Sequence, residues 1–334
     1  MKLAVLALTK GGEKLARKLS TQLDNCTLIA GKGKISVIVK NNWPHYDGFI
    51  FIMATGIVVR AIAPLLHDKS LDPCVVVMDE KGTHVISLLS GHIGGGNVLA
   101  GKVAERIGAT PVITTSSDTL NLVALDLWLA EQHVVAENKK QLTLASAKLV
   151  NNGQLTIFTD MVVDSLPASI IPTDNPRQAD MAISPFINET HPDIVFRPVN
   201  IVIGTGCNRG TPAREFEEAL TELLSDLHLS RHSVRNLASI DKKNDEAGLI
   251  AFAENNNWPI DFFDNRTIND LKNVEISFAA LKGVGAIGVA EPAAILSSGN
   301  NQLISRKRKW KNITMAVAQV PFSLSAQVQD RFNT

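Results

Sequence analysis

The sequence predicts an α/β protein of more than one domain, with mostly parallel sheets flanked by helices, and three observations carry that expectation. Apolar runs such as Gly48–Met53 (GFIFIM) lack polar alternation, as strands buried on both faces do. Those runs alternate with segments of helical spacing, the pattern of a sheet covered on both faces. Glycine-rich loops stand at the strand-to-helix junctions, where open α/β sheets collect ligands. At roughly 100–200 residues per domain, 334 residues make two or three domains.

Taken in order, Lys2–Leu8 reads as a strand, Gly11-Gly12 as a turn and Glu13–Leu23 as a helix through Leu15, Leu19 and Leu23. Gly48–Met53 is a strand, and Thr55-Gly56 opens a helix, Ile57–Leu66. Cys74–Met78 and His84–Leu88 read as a hairpin around Asp79-Glu80-Lys81-Gly82. The loop Ser90–Asn97 (SGHIGGGN) leads into a helix ending near Ile107; Pro111–Thr114 is a strand and Asn121–Gln132 a helix. These segments form a first domain, 1–133.

From 134 to 197 prolines punctuate short apolar segments, among them the strands Leu155–Phe158 and Ile194–Phe196, and a small central domain is expected. A second α/β unit, 198–334, opens with the strand Asn200–Ile203 and the loop Gly204–Thr211 (GTGCNRGT). A helix follows near Pro212, where the missing proline N–H costs nothing. Ser233–Ile240, Ile260–Phe263 and Ile313–Ala318 read as strands, and Asp245–Asn255 and Ala290–Leu296 as helices.

Composition narrows the function. Lys plus Arg equals Asp plus Glu, so the basic excess of a nucleic-acid binder is absent, and four Trp and one Tyr supply little surface for base stacking. The run Arg306–Lys309 reads as a solvated turn before a strand, with anion contact as its sharper alternative. Three cysteines without metal-type spacing suit a reducing compartment. No apolar run reaches the ~18–20 residues of a membrane span, and the N-terminal run is too short for a signal peptide, so a cytoplasmic protein is expected. Zinc-hydrolase, P-loop and serine-elbow motifs do not occur.

Three loops share one design: a strand, then glycine or small hydroxyl residues, then a helix. They are Ala54–Gly56, Ser90–Asn97 and Gly204–Thr211, each a place where backbone N–H groups at a helix start would meet an anion. His92 lies in the second loop with an ordinary pKa near 6.5, suited to acid–base work. Thr114, Thr115 and Asp118 end the following strand, as either a helix cap or a ligand-facing loop. Gly204–Gly210 approximates a dinucleotide fingerprint, but no acidic residue ends a strand ~20 positions on, which counts against a nicotinamide oxidoreductase. Cys207 at that loop is a candidate activated thiol. Glu291 before Pro292 reads as a helix-start residue or a proton-transfer group.

Together these stretches resemble a known family. Ala54–Asn97 (ATGIVVRAIAPLLHDKSLDPCVVVMDEKGTHVISLLSGHIGGGN) and Pro111–Asp118 (PVITTSSD) resemble the N-terminal part of the cobalamin biosynthesis protein CbiG family. Gly204–Thr211, Ser239–Leu249 (SIDKKNDEAGL) and Gly288–Asn300 (GVAEPAAILSSGN) resemble its C-terminal domain. The chain departs from the family pattern at Gly96, where alanine is commoner, and at Asn208, beside which a second basic residue is usual.

The resemblance implies hydrolysis of cobalt-precorrin-5A, with the δ-lactone opened and acetaldehyde released to give cobalt-precorrin-5B. Cobalt would belong to the substrate, with no protein-held metal and no cofactor. A non-catalytic tetrapyrrole carrier is the alternative. Neither nucleic acid nor membrane is an expected partner; labile intermediates imply transient contact with neighbouring pathway enzymes. On this reading His92, Asp118 and Glu291 are the candidate catalytic groups. Thr55, Gly56, Arg60, Ser90, Gly91, Gly94, Gly95, Gly96, Asn97, Thr114 and Thr115 would bind substrate in the first domain, with the Gly94–Asn97 N–H groups as an oxyanion or carboxylate cradle. Gly204, Gly206, Cys207, Arg209 and Lys242 would do so in the last.

Overall fold

A computed structural model describes residues 1–30, 33–68, 71–272 and 274–326. The chain divides into two compact units, Met1–Trp128 and Leu129–Gln327. Where the sequence suggests three domains, the second unit holds two larger sheets, one within 134–198 and one within 201–319.

The first unit is built on six strands: β1 (Leu3–Ala7), β2 (Cys26–Leu28), β3 (Gly48–Ile52), β4 (Cys74–Met78), β5 (His84–Leu89) and β6 (Thr110–Val112), in spatial order β2-β1-β3-β4-β5-β6. Strands β1, β3 and β4 are parallel and wholly buried. Helices α1 (Lys10–Gln22), α2 (Ile35–Asn42), α3 (Thr55–Ile62) and α4 (Gly96–Ile107) cover the sheet. Ala16 and Leu19 of α1 and Leu99, Ala100 and Val103 of α4 pack on Leu3, Val5, Ile50 and Ile52. Val39 of α2 and Val58, Ala61 and Ile62 of α3 pack on Ala4, Leu6, Phe49 and Phe51. The alternation of side-chain direction along each strand puts these two sets on opposite faces.

The β4–β5 hairpin sets the polarity of the unit. The Asp79 carboxylate accepts the N–H groups of Lys81, Thr83 and His84, and Gly82 takes a positive φ, so the chain reverses. Thus β5 runs antiparallel to β4, and β6 follows β5 in parallel. The loops after β5 and β6 therefore leave by the edge at which β1, β3 and β4 begin.

Local expectations need some correction here. Gly11-Gly12 is not a turn: the Thr9 hydroxyl caps the Gly12 N–H, and α1 already runs from Lys10. Strand β2 and helix α2 escaped the sequence reading because both are short, and β2 is only half buried. Two further short helices, α5 (Ser116–Thr119) and α6 (Leu125–Glu131), follow β6.

In the second unit, β7 (Val134–Ala136), β8 (Leu155–Thr159), β10 (Ile170–Pro172), β11 (Met181–Ile183) and β12 (Val195–Pro198) form a five-stranded sheet of order β10-β8-β11-β12-β7, and helix α7 (Lys139–Asn152) connects β7 to β8. A small strand β9 (Val162–Val163) lies outside it and pairs with β18 (Ser323–Leu324). The other large sheet has the order β15-β14-β13-β17-β16, from β13 (Ile201–Cys207), β14 (Val234–Ile240), β15 (Ile260–Phe263), β16 (Leu303–Lys309) and β17 (Ile313–Gln319). Helices α8 (Ala213–Asp226) and α9 (Ala247–Asn256) pack Phe216, Leu220, Leu223 and Phe252 on one face. Short helices α10 (Asn265–Asn269) and α11 (Phe278–Val284) precede α12 (Ala290–Ser298), which packs Ala290 and Ala294 against Ala316 and Ala318.

The run Arg306–Lys309 is not a turn but the end of the edge strand β16, where charged side chains discourage pairing with another chain. Among the described residues, no helix is long and apolar enough to cross a membrane.

Candidate functional site

The loop Ser90–Asn97 is a tight coil between β5 and α4. Ser90 and Gly95 both have positive φ, and Gly95 forms the N-cap of α4. The loop closes on its own backbone: Gly95 N–H donates to His92 O, Gly96 N–H to Ser90 O and Asn97 N–H to Gly91 O. A Cβ at Gly94 would stand 2.4 Å from the Ser90 Cβ, and one at Gly96 2.9 Å from the Leu89 carbonyl oxygen. The glycines are required by close packing. The expected N–H cradle is corrected on this point, because the donors of Gly95, Gly96 and Asn97 are already committed.

That coil projects His92 into a cluster of polar groups. Its Nε2 lies 2.9 Å from Asp118 Oδ2 and 3.1 Å from Ser117 Oγ, and its Nδ1 lies 3.3 Å from Asp126 Oδ1. Asp118 and Ser117 stand on α5, and Asp126 on the first turn of α6. Buried Asn97 donates its amide N–H to Thr115 Oγ1 at 2.9 Å and to Asp118 Oδ2 at 3.1 Å. Gly91 makes room for that amide, since a Cβ there would come within 2.6 Å of Asn97 Oδ1.

The electrostatics follow from two carboxylates on one imidazole. The hydrogen bond to Asp126 raises the His92 pKa, and Asp118 adds to it, together outweighing the burial that opposes charge. Burial acts to raise the pKa of Asp126, but the His92 partner and the Leu127 N–H prevail and lower it. Asp126 and Asp118 both favour the charged form of the His92 imidazole. Asp126 and His92 are mostly enclosed, at 15% and 19% side-chain exposure, while Asp118 at 38% faces solvent. The arrangement can donate a proton from His92 and accept one at Asp118.

The structure thus brings together His92, Asn97, Thr115 and Asp118, with Ser90 and Gly91 shaping the loop. Ser90 Oγ donates to the Asp72 carbonyl just before β4, which anchors the loop at that edge of the sheet. Thr114 lies in the connection from β6, and no hydrogen bond ties its side chain to His92. Thr55, Gly56 and Arg60 are not part of this cluster. They follow β3 at the opposite edge, because the β4–β5 hairpin reverses the strand direction. Arg60 donates to the Gly56 carbonyl of its own helix, and Thr55 lines a separate cavity with Ile52, Met53, Met78 and Val112.

In the second unit, Gly204 is a packing residue: a Cβ there would lie 1.9 Å from the Ala290 carbonyl oxygen of α12. Gly206, Cys207, Arg209, Lys242 and Glu291 line one cavity. Burial pushes the Cys207 thiol up to about 11, so it is not an activated thiolate. Arg209 pairs with Asp245 at 2.8 Å, and Lys242 donates to the Val284 carbonyl at 3.0 Å. Glu291 is buried away from the His92 cluster, in the second unit, and its carboxylate accepts the Lys307 N–H of β16 at 2.8 Å.

Asp126 and Ser117 are the members of the cluster that sequence reasoning missed. Ser117 sat within the hydroxyl-rich run already marked. Asp126 carried no local signal, because an acidic residue in a helix's first turn is usually a dipole partner.

An α/β protein with a carboxylate–imidazole–carboxylate cluster in its first unit is what fold and geometry define. The family model described as cobalamin synthesis G N-terminal matches residues 37–118, and that described as cobalamin synthesis G C-terminus matches 201–318. A protein of Priestia megaterium named cobalt-precorrin-5A hydrolase is 35% identical, covering 96% of this chain and 95% of its own. A Salmonella typhimurium protein of the same name is 30% identical, covering 94% and 97%. Protein CobE of Sinorhizobium is 34% identical over 38% of this chain and 84% of its own. The chain belongs to the cobalamin synthesis protein G family.

Proposed function

We propose that the chain is a cobalt-precorrin-5A hydrolase, opening the δ-lactone of its substrate and releasing acetaldehyde. The observation that carries this is the match over nearly the whole length of two relatives bearing that name. The placement of His92 between Asp118 and Asp126 is the chemistry that suits it.

In our reading the two carboxylates and the imidazolium serve both bond-breaking steps. Water attacks the lactone carbonyl and passes a proton to Asp118, while His92 protonates the departing alkoxide. The new carbinol then returns a proton to His92 as its carbon–carbon bond to the macrocycle breaks. Acetaldehyde leaves, the electron pair stays on the macrocycle, and protonated Asp118 supplies the proton there. Both groups return to their starting state. Asp126 holds His92 in orientation, and Asn97 holds Asp118. Water is the only co-reactant, and the cobalt is cargo of the substrate.

The test is an anaerobic incubation of the purified protein with cobalt-precorrin-5A, trapping aldehyde and weighing the tetrapyrrole. Acetaldehyde with a product lighter by the two-carbon unit is the expected result. Tight binding without aldehyde would replace this reading with that of a carrier.

A further inference from the structure

We infer that the Ser117 hydroxyl is a further catalytic group of the His92 cluster, the relay that carries protons between His92 Nε2 and the lactone oxygen, an assignment that rests on the hydrolase reading proposed above. In the two bond-breaking steps given there, Asp118, His92, Asp126 and Asn97 have tasks and Ser117 has none.

Both ring nitrogens of His92 are already occupied. Nδ1 faces Asp126 Oδ1 at 3.3 Å, on the enclosed side of the ring. Nε2 is shared by Asp118 Oδ2 at 2.9 Å and Ser117 Oγ at 3.1 Å. A substrate oxygen therefore reaches an imidazole N–H only by displacing a partner or by way of one. Ionised carboxylates only accept, and Asp118 is reserved for the proton of the attacking water. A hydroxyl both accepts and donates. Ser117 can take the Nε2 proton on one side of its oxygen and give up its own on the other.

The fold leaves it free to do so. Among the described residues, His92 is the one side chain bonded to the Ser117 hydroxyl, so the Ser117 O–H is uncommitted whenever Nε2 donates. The backbone around it is fixed: Thr119 N–H donates to Thr115 O, Leu120 N–H to Ser116 O and Leu122 N–H to Ser117 O. Ser117 is buried, which limits competition from bulk water, while its chain neighbour Asp118 faces solvent. Two consecutive residues thus set a hydroxyl and a carboxylate side by side on one ring nitrogen. A nucleophilic role for Ser117 is disfavoured, because it needs a free lone pair on Nε2, and the Asp118 carboxylate favours a proton there.

The protons balance in both steps. As the acyl C–O bond of the lactone breaks, its electron pair stays on the departing oxygen. That oxygen takes the Ser117 proton while Ser117 takes the Nε2 proton of His92. In the second step the carbinol proton passes to Ser117, and the Ser117 proton returns to Nε2. Ser117 ends each step as a neutral hydroxyl, with no covalent bond to the substrate.

The test is the single-turnover rate of acetaldehyde release from cobalt-precorrin-5A, measured anaerobically on the full chain with protein in excess. Ser117→Ala is expected to slow release about 10²-fold, with substrate Kd and circular dichroism unchanged. Ser117→Thr, which keeps the hydroxyl, should return the rate to within about fivefold of the parent. In mixtures of light and heavy water the parent rate should bow below a straight line, because two protons move together. Ser117→Thr keeps that bow and Ser117→Ala loses it.

A Ser117→Ala rate within about twofold of the parent, or a folded Ser117→Thr as slow as Ser117→Ala, would overturn the relay. A straight line in the parent would do so as well, and it needs no variant to fold. A substrate acyl group found on Ser117 after acid quenching would overturn it by making the residue a nucleophile. Absence of aldehyde from the parent removes the hydrolase reading and the relay together, whereas the variant outcomes leave that reading standing.

Discussion

The loops Ser90–Asn97 and Gly204–Thr211 look alike as sequence, yet they do opposite work. The first is a coil whose Gly95, Gly96 and Asn97 N–H groups bond back to its own carbonyls, and it aims His92 at Asp118 and Asp126. The second begins as strand: β13 continues through Cys207, and Gly204 lets α12 approach the sheet. It presents no proton-transfer cluster, only part of the lining of a cavity. Glycine density therefore marks close approach of backbone, and what approaches, a ligand or another helix, is settled by the neighbours.

The largest expected effect that tests this contrast is His92→Gln. Loss of a positioned acid–base group costs ~10²–10⁴-fold in rate, so kcat for aldehyde release should fall by that factor while the circular dichroism of the folded protein stays unchanged. Full activity in a folded His92→Gln protein would erase the distinction between the loops.

Asp126→Asn comes next, with kcat expected to fall about 10²-fold, at the lower end of the same range. Its diagnostic is the pH profile. The carboxylate raises the His92 pKa, so removing it moves the alkaline limb of kcat toward lower pH. The same linkage governs folding. His92, raised in the folded state, stabilises the first unit fully below its unfolded pKa, and that stability is lost as pH rises through the folded value. Asp126, lowered, stabilises above its unfolded pKa, and that part is lost as pH falls through the folded value. Thermal melts of parent and Asp126→Asn across pH should converge at both ends.

Gly204→Ala tests the packing role of the second loop. Overpacking of this kind costs about 1–3 kcal/mol, so the thermal midpoint of the second unit should drop while the pH profile of turnover keeps its shape. A variant as stable as the parent would show that α12 does not need that glycine.

The smallest effect belongs to Arg60→Ala. Its guanidinium bonds its own helix at the sheet edge opposite His92, so KM and kcat should stay within about twofold of the parent, the scale of an exposed contact. A large rise in KM would return the loop after β3 to the substrate site.

Much of this was legible along the chain because it depends on near neighbours. Fully buried runs such as Gly48–Ile52 and Cys74–Met78 announce parallel strands. Asp79-Glu80-Lys81-Gly82 contains its own turn chemistry, an acceptor side chain and a residue tolerant of positive φ. His92 and Asp118 stood out by their place at strand ends. The basic run Arg306–Lys309 was misread because an edge strand and a solvated turn share the same polar texture.

By itself, then, the sequence determined the α/β class, most strands and helices, and the two residues around which the centre is built, since local periodicity and turn chemistry act within a few residues. Tertiary structure alone decided which strand ends share an edge, and so separated Arg60 from His92. It recruited Asp126 from a helix with no signal of its own and committed Glu291 to a backbone N–H of β16. The reason is physical: a carboxylate's role depends on the charges and donors within a few ångströms, and those come from segments far apart in the chain.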